Sequence, residues 1–219
     1  MRNMLYYTFF KKKPSANGFD TIEEGIEAVL AEDFFRDEVL QILKYNRDHI
    51  GFVSKDNEYS FECPLEVHCR YNTNQVMAAF GLFNETESPE FREGVKRFEE
   101  KHTDAFFINL NKSEKEFSPS TMYEDYAINA KLFHWQSQSQ DRQSSGKIQR
   151  YINHKSDGNN ISLFVREFKK NGTYTAAFTF LGNADYVSHE GERPVSFIWS
   201  LHEPMPAELL PKANKSIAI

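Results

Sequence analysis

The residues best suited to chemistry crowd into one stretch. Residues 121–140, TMYEDYAINAKLFHWQSQSQ, set Tyr123, Tyr126, Phe133, His134 and Trp135 beside Asp125 and follow them with Gln136, Ser137, Gln138 and Ser139. Aromatic faces are platforms on which nucleic-acid bases stack, each worth about 1–3 kcal/mol. Asp, Gln and Ser supply the acceptors and donors that pair with base edges. The pattern also fits core aromatics followed by an ordinary polar loop, so residue type alone leaves both readings open. Arg142, Gly146, Lys147 and Arg150 follow at once. They suit phosphate contact and suit a solvated loop equally. Lys147, Arg150 and Arg166 are the candidate phosphate-binding residues.

A second pattern has an enzymatic outline. Asp157, Glu167 and Lys169 could form a metal-dependent nuclease centre, in which two carboxylates hold a divalent ion and a lysine stabilises the developing charge. Asp157, however, sits in Ser-Asp-Gly-Asn, which reads as a turn. The chain has no Gly-rich phosphate loop, no His-Glu-x-x-His, no Cys-x-x-Cys and no Gly-x-Ser-x-Gly. The His-x-Lys of phospholipase D-type nucleases is missing too. Its seven histidines are scattered without ligand spacing. These observations predict a non-catalytic chain with no cofactor and no metal.

Composition narrows the class. The chain has 219 residues, 40% of them hydrophobic, with twenty Phe and ten Tyr, enough for a sizeable core. The net charge of −6 argues against a nucleic-acid partner when taken alone. The acidity lies in the first half, since residues 112–219 carry 13 basic and 12 acidic side chains. No apolar run approaches the roughly 20 residues that span a bilayer. The N-terminus has no signal-peptide h-region. Cys63 and Cys69 do not make a disulfide framework and fall on one apolar face, as reduced, buried thiols would. The expectation is a cytoplasmic protein with no membrane partner.

The elements that would position these residues change character along the chain. Thr21 and Glu24 outline a capping box before Ile22, Ile26, Val29 and Leu30 at helical spacing. A second helix starts near Asp33 with Phe35, Val39, Ile42 and Leu43 on one stripe, and Lys44–Glu58 reads as a polar linker. Residues 1–58 are therefore expected to be a helical appendage or joint to a preceding domain, and residues 59–219 a β-rich recognition domain. From Cys63 the period becomes two, with Cys63, Leu65, Val67 and Cys69 facing one way and Glu66, His68 and Arg70 the other. A short helix capped by Asn72 or Thr73 ends at Gly81. Strands follow at Val95–Phe98 and Asp104–Leu110. In the last third Ile161–Phe168 is nearly continuously apolar, Tyr174, Ala176, Phe178 and Phe180 alternate, and so do Val195, Phe197, Trp199 and Leu201. Helices first and short strands after predict an α+β fold with a curved, barrel-like mixed sheet and short helices.

LEVHCRYNTNQVMAAFG, LNKSEKEFSPSTMYEDYAI, LFHWQSQS, RYINH, LFVRE and FLGNADYVSHEG occur in this order over about residues 63–210. Together they resemble the domain-of-unknown-function family that closes many bacterial superfamily II helicase proteins, often headed by a phospholipase D-type nuclease. Members include SauUSI-like type IV restriction enzymes, where this part is taken as the target-recognition domain for methylated or hydroxymethylated cytosine. The resemblance implies an architecture like the SRA modified-base readers, a PUA-like barrel with flanking helices. It also implies double-stranded DNA carrying a modified cytosine as partner, and ATPase and nuclease activities on other domains of the parent protein.

The expected function is thus recognition of 5-methyl- or 5-hydroxymethylcytosine by base flipping, in the service of restriction and antiviral defence. Tyr123, Asp125, Tyr126, His134, Trp135, Gln136, Ser137 and Gln138 would bind the base. Two alternatives stay open: a helicase-associated scaffold or dimerisation domain that does not touch DNA, and the metal-dependent nuclease.

Overall fold

Thr103–Asn109 (β3) lies at the centre of the structure, which is a computed structural model describing residues 1–50, 53–91, 94–111 and 124–214. The strand is buried from Thr103 to Ile108. Successive side chains leave a strand on opposite faces. Ala105 and Phe107 therefore enter one core while Phe106 and Ile108 enter another. Asn160–Arg166 (β6) runs parallel to β3, with Leu163 and Val165 beside Phe106 and with Phe164 stacked on Phe107 at 5.2 Å. Burial on both faces is why this strand reads as a continuous apolar run rather than an alternation.

The remaining strands pair antiparallel. Val95–Phe98 (β2), β3, β6, Phe178–Glu190 (β9), Ser196–Leu201 (β10), Leu132–Gln136 (β5) and Tyr126–Ala127 (β4) form one sheet in that order, and Arg70–Tyr71 (β1) adds to β9. Lys170–Asn171 (β7) and Tyr174–Thr175 (β8) form a separate hairpin. The rings of Phe106 on β3 and Trp135 on β5 are 4.3 Å apart, although four strand steps separate these strands. A flat sheet would hold them about 19 Å apart. The sheet therefore curls around the first core, and helix Gly146–Ile152 (α5) adds Ile148 and Tyr151 to that core. β2 and β4 pair with no further strand among the described residues, so the sheet is curved and open, not a closed barrel. The fold is α+β, as the succession of elements predicts. No described helix is long and apolar enough to cross a membrane.

Gly182 lets β9 serve both cores. Between Phe180 and Asn183 the pairing with β6 gains one residue, and Gly182 sits there at φ 82°. Such a bulge shifts the phase of the strand. Phe178 and Phe180 face the second core and Ala184 the first. A Cβ on Gly182 would also lie 3.3 Å from the Val67 side chain.

The N-terminal helices differ from one another. Arg2–Phe9 (α1) places Tyr6 and Tyr7 in the second core with Phe98, Phe107 and Phe180, and Ile22–Leu30 (α2) adds Ile22. Thr21 Oγ1 accepts the Glu24 N–H at 3.1 Å, the expected cap. Asp33–Asp48 (α3) extends into the segment expected as a polar linker and buries no residue. Its stripe residues Phe35, Ile42 and Leu43 are 43–58% exposed, and among the described residues only the Phe9 ring of α1, 5.9 Å from Phe35, makes a ring contact with that stripe.

Two further expectations are corrected. Residues 63–70 are not a strand: Val67 bridges Lys55, and β1 begins only at Arg70. A turn closed by the Cys69 N–H on the Glu66 carbonyl interrupts the alternation. Leu65 and Val67 are buried as expected, whereas Cys63 and Cys69 are half-buried, and His68 is buried at φ 75° instead of facing outward. Tyr174 is 78% exposed, because β9 starts at Phe178 and Tyr174 belongs to the separate hairpin. Thr73–Ala79 (α4) matches its expectation, with Asn72 and Gln75 forming a reciprocal capping box. Leu210–Ala213 (α6) closes the described chain.

Candidate nucleic-acid interface

β5 lies between β10 and β4, and this position decides the fate of the aromatic stretch. Trp135 is 6% exposed and packs among Phe106, Tyr151 and Phe197, with Phe133 fully buried beside it. Ser137 is buried, and its hydroxyl accepts the Val195 N–H at 3.0 Å. The Asp125 carboxylate accepts the Gln136 N–H at 3.0 Å, and the Gln136 side chain accepts the Glu124 N–H at 2.9 Å. His134 is buried, with Nδ1 2.8 Å from the Glu124 carbonyl and its ring stacked on Tyr126 at 4.6 Å. The structure thus brings Asp125, Tyr126, His134 and Gln136 together as the clasp of edge strand β4 on β5. Trp135 and Ser137 lie in the interior, with no face open to a base. Gln138 accepts from Lys147 Nζ at 3.1 Å in the following loop. Tyr123 lies outside the described residues.

The three expected phosphate contacts are engaged within the chain. Lys147 pairs with Asp141 at 2.8 Å. Arg150 grips Asp104 with two bonds of 2.9 Å, and this bond raises the guanidinium pKa. Asp104 is fully buried and also meets Arg97 at 3.2 Å and the Asn159 side-chain amide at 3.0 Å. Three side chains, two of them cationic, thus satisfy one buried carboxylate through four bonds, as a buried charge requires. Arg166 donates to Asn109 Oδ1 at 2.6 Å and to the Ala176 carbonyl at 2.8 Å, and its guanidinium lies 4.0 Å from the Phe178 ring centre. It pins the root of the β7–β8 hairpin.

The nuclease triad is not assembled. Asp157 precedes β6 and Glu167 follows it, so the length of the strand, on the order of 20 Å, separates the two carboxylates. Glu167 pairs instead with Lys212 at 3.5 Å. Among the described residues no three His, Cys, Asp or Glu side chains gather closely enough to hold a metal ion.

A cluster of exposed basic and aromatic residues lies beyond the C-terminal end of β6. Lys170 pairs with Thr175 and Asn171 with Tyr174, which leaves a two-residue turn led by Gly172 at φ 62°. A II′ hairpin turn needs a positive φ at that position. Phe168 is 50% exposed, Tyr174 is 78% exposed, and Lys169 and Lys170 are exposed between them. Beside the hairpin root, His68, Arg70, Thr179, Pro206, Glu208, Leu209 and Lys212 line a small cavity. Sequence reading missed this region, although a Lys-Lys pair and Asn-Gly between aromatics, FKKNGTY, carried the signal.

Residues 65–212 match the family described as Domain of unknown function (DUF3427). The match takes in every strand of the sheet and leaves α1 to α3 outside it. No curated protein matches the chain. The chain belongs to the DUF3427 family.

Proposed function

We propose that this DUF3427 member is a recognition module for duplex DNA, contacting it through the β7–β8 hairpin. We further propose that it reads a modified cytosine, 5-methyl or 5-hydroxymethyl, on behalf of a helicase–nuclease restriction protein whose catalytic domains lie elsewhere. The observation that carries the DNA reading is the hairpin itself. In a chain of net charge −6, two lysines and two exposed aromatic rings stand together off the main sheet. Lysines at a phosphate backbone release counterions, and an exposed ring can stack on a base. The choice of modified cytosine rests on the family resemblance of LFHWQSQS and TMYEDYAI.

Extruding a base costs a few kcal/mol, and a ring such as Tyr174 offsets about 1–3 kcal/mol of that. Burying one extra methyl group adds a preference of roughly 10–200-fold over plain cytosine. The test is a titration against otherwise identical duplexes carrying cytosine, 5-methylcytosine and 5-hydroxymethylcytosine, with the Tyr174→Ala variant alongside. Binding that strengthens with the modification and weakens in the variant supports the proposal. Equal affinity for all three removes the modified-base reading, and binding untouched by Tyr174→Ala removes the hairpin.

One observation favours a second reading, a scaffold that joins neighbouring domains of the parent protein without touching DNA. α3 exposes Phe34, Leu40, Ile42 and Leu43, each by more than half. Patches of this kind mark contact surfaces. Failure to bind any of the three duplexes favours the scaffold.

A further inference from the structure

The cavity between β1, β9 and α6 combines features that a buried structural histidine does not need. His68 is 7% exposed, and its Nε2 completes no hydrogen bond. Four described side-chain polar atoms share that condition, and His68 is the one whose residue lines this cavity. An unsatisfied buried polar atom is rare in a folded protein and calls for an explanation, such as a missing ion. His68 is also held at φ 75°. Histidine tolerates this left-handed region better than most residues, yet strain of this kind clusters where a ligand is gripped. Backbone bonds keep it there, since the His68 N–H donates to the Phe180 carbonyl at 2.7 Å and the Cys69 carbonyl accepts from Phe180.

The other lining residues set the chemistry. Arg70 is exposed at the rim and has no ion pair among the described residues. Lys212 contributes an ammonium already within 3.5 Å of Glu167, and Thr179 contributes a hydroxyl. Glu208 is the one carboxylate in the lining. The cavity measures about 50 Å³. Since about 10–15 Å³ on this measure holds one water, there is room for a few waters or one tetrahedral oxyanion, and none for a base.

We propose that this cavity is an oxyanion site that takes a phosphate group through His68 Nε2, the Arg70 guanidinium, Lys212 Nζ and the Thr179 hydroxyl. Burial holds the imidazole below its ordinary pKa, against the nearby carbonyls of Val53 and Pro204, while Lys55 lowers it and Glu203 raises it. An anion at Nε2 requires the ring proton on that nitrogen. A phosphate there favours the charged imidazolium, so occupancy raises the His68 pKa. The inference relies on the DNA reading only for the source of the phosphate, a duplex backbone or a free phosphate group.

The experiment records imidazole and Arg side-chain NMR signals of the full chain while inorganic phosphate is added, and then while a duplex is added. The variants are Arg70→Gln and Lys212→Gln. A saturable shift of the His68 ring, with its pKa raised, is the expected result. Each substitution should weaken phosphate binding by roughly tenfold through the loss of a charge-assisted bond. A duplex that produces the same His68 shift identifies a backbone phosphate as the ligand. If phosphate shifts His68 and a bound duplex does not, the oxyanion site stands for a free phosphate group. If neither reaches His68 while the duplex still binds and Tyr174→Ala still weakens it, the oxyanion site is overturned and the DNA reading survives. A phosphate response of the same size in both variants also overturns it.

Discussion

Residues 132–136 and residues 168–174 are both short, aromatic and flanked by polar side chains, yet Trp135 is 6% exposed and Tyr174 is 78% exposed. The difference lies in their neighbours. β5 pairs with β10 on one side and β4 on the other, and the curl of the sheet brings Phe106 over its inner face. Among the described residues β7 and β8 pair only with each other. Buried aromatics with strands on both sides build a core, whereas the same residue types on the hairpin stay exposed. The basic residues divide in the same way. Arg150 neutralises a buried carboxylate, while Lys170 lies on the exposed hairpin.

The strongest challenge to this contrast is truncation of the buried rings. Trp199→Ala and Trp135→Ala should each destabilise the fold by about 3–5 kcal/mol, as buried aromatics do. Urea unfolding measures this, and a loss under ~1 kcal/mol for Trp135 would return that ring to the candidate base readers. Asp104→Asn should cost about 3 kcal/mol, because it leaves Arg97 and Arg150 facing a neutral group. The same unfolding series reads it, and a neutral outcome would free Arg150 for phosphate.

On the hairpin the signs reverse. Tyr174→Ala should change stability by no more than ~0.5 kcal/mol while weakening duplex binding by about 1–3 kcal/mol. Fluorescence anisotropy beside a thermal melt separates the two quantities, and a destabilised variant with unchanged affinity would make the hairpin a structural element. The smallest effect concerns charge. Lys170→Gln should make the log–log salt slope of binding less negative by about 0.9, while Lys147→Gln should leave it unchanged. Equal slopes in the two variants would erase the distinction between the regions.

What the sequence made legible was the part decided by local pattern. The alternation of Val195, Phe197, Trp199 and Leu201 names a buried strand, with all four 2% exposed or less, and the run Ile161–Phe168 is buried as far as Val165, whereas Phe168 lies beyond the strand and is 50% exposed. Distant partners decided the rest. Trp135 looked free to meet a base because nothing nearby in sequence shows that Phe106 and Phe197 will enclose it. The α3 stripe looked like a core face because its spacing is helical, and spacing cannot show whether another element will cover it. The alternation from Tyr174 to Phe180 runs through a boundary between two sheets that periodicity does not mark. At His68 a turn reverses the facing of one residue, and strict alternation cannot anticipate it.

The two-faced burial of β3 and β6 also governs how the molecule comes apart. A strand pair that is a wall of both cores cannot lose one side and keep the other, so neither core can open alone. In deuterium the amides of Thr103–Asn109 and Asn160–Arg166 should be the last to exchange, and only through opening of the whole domain. α3, which buries no side chain, should exchange through local fraying long before them.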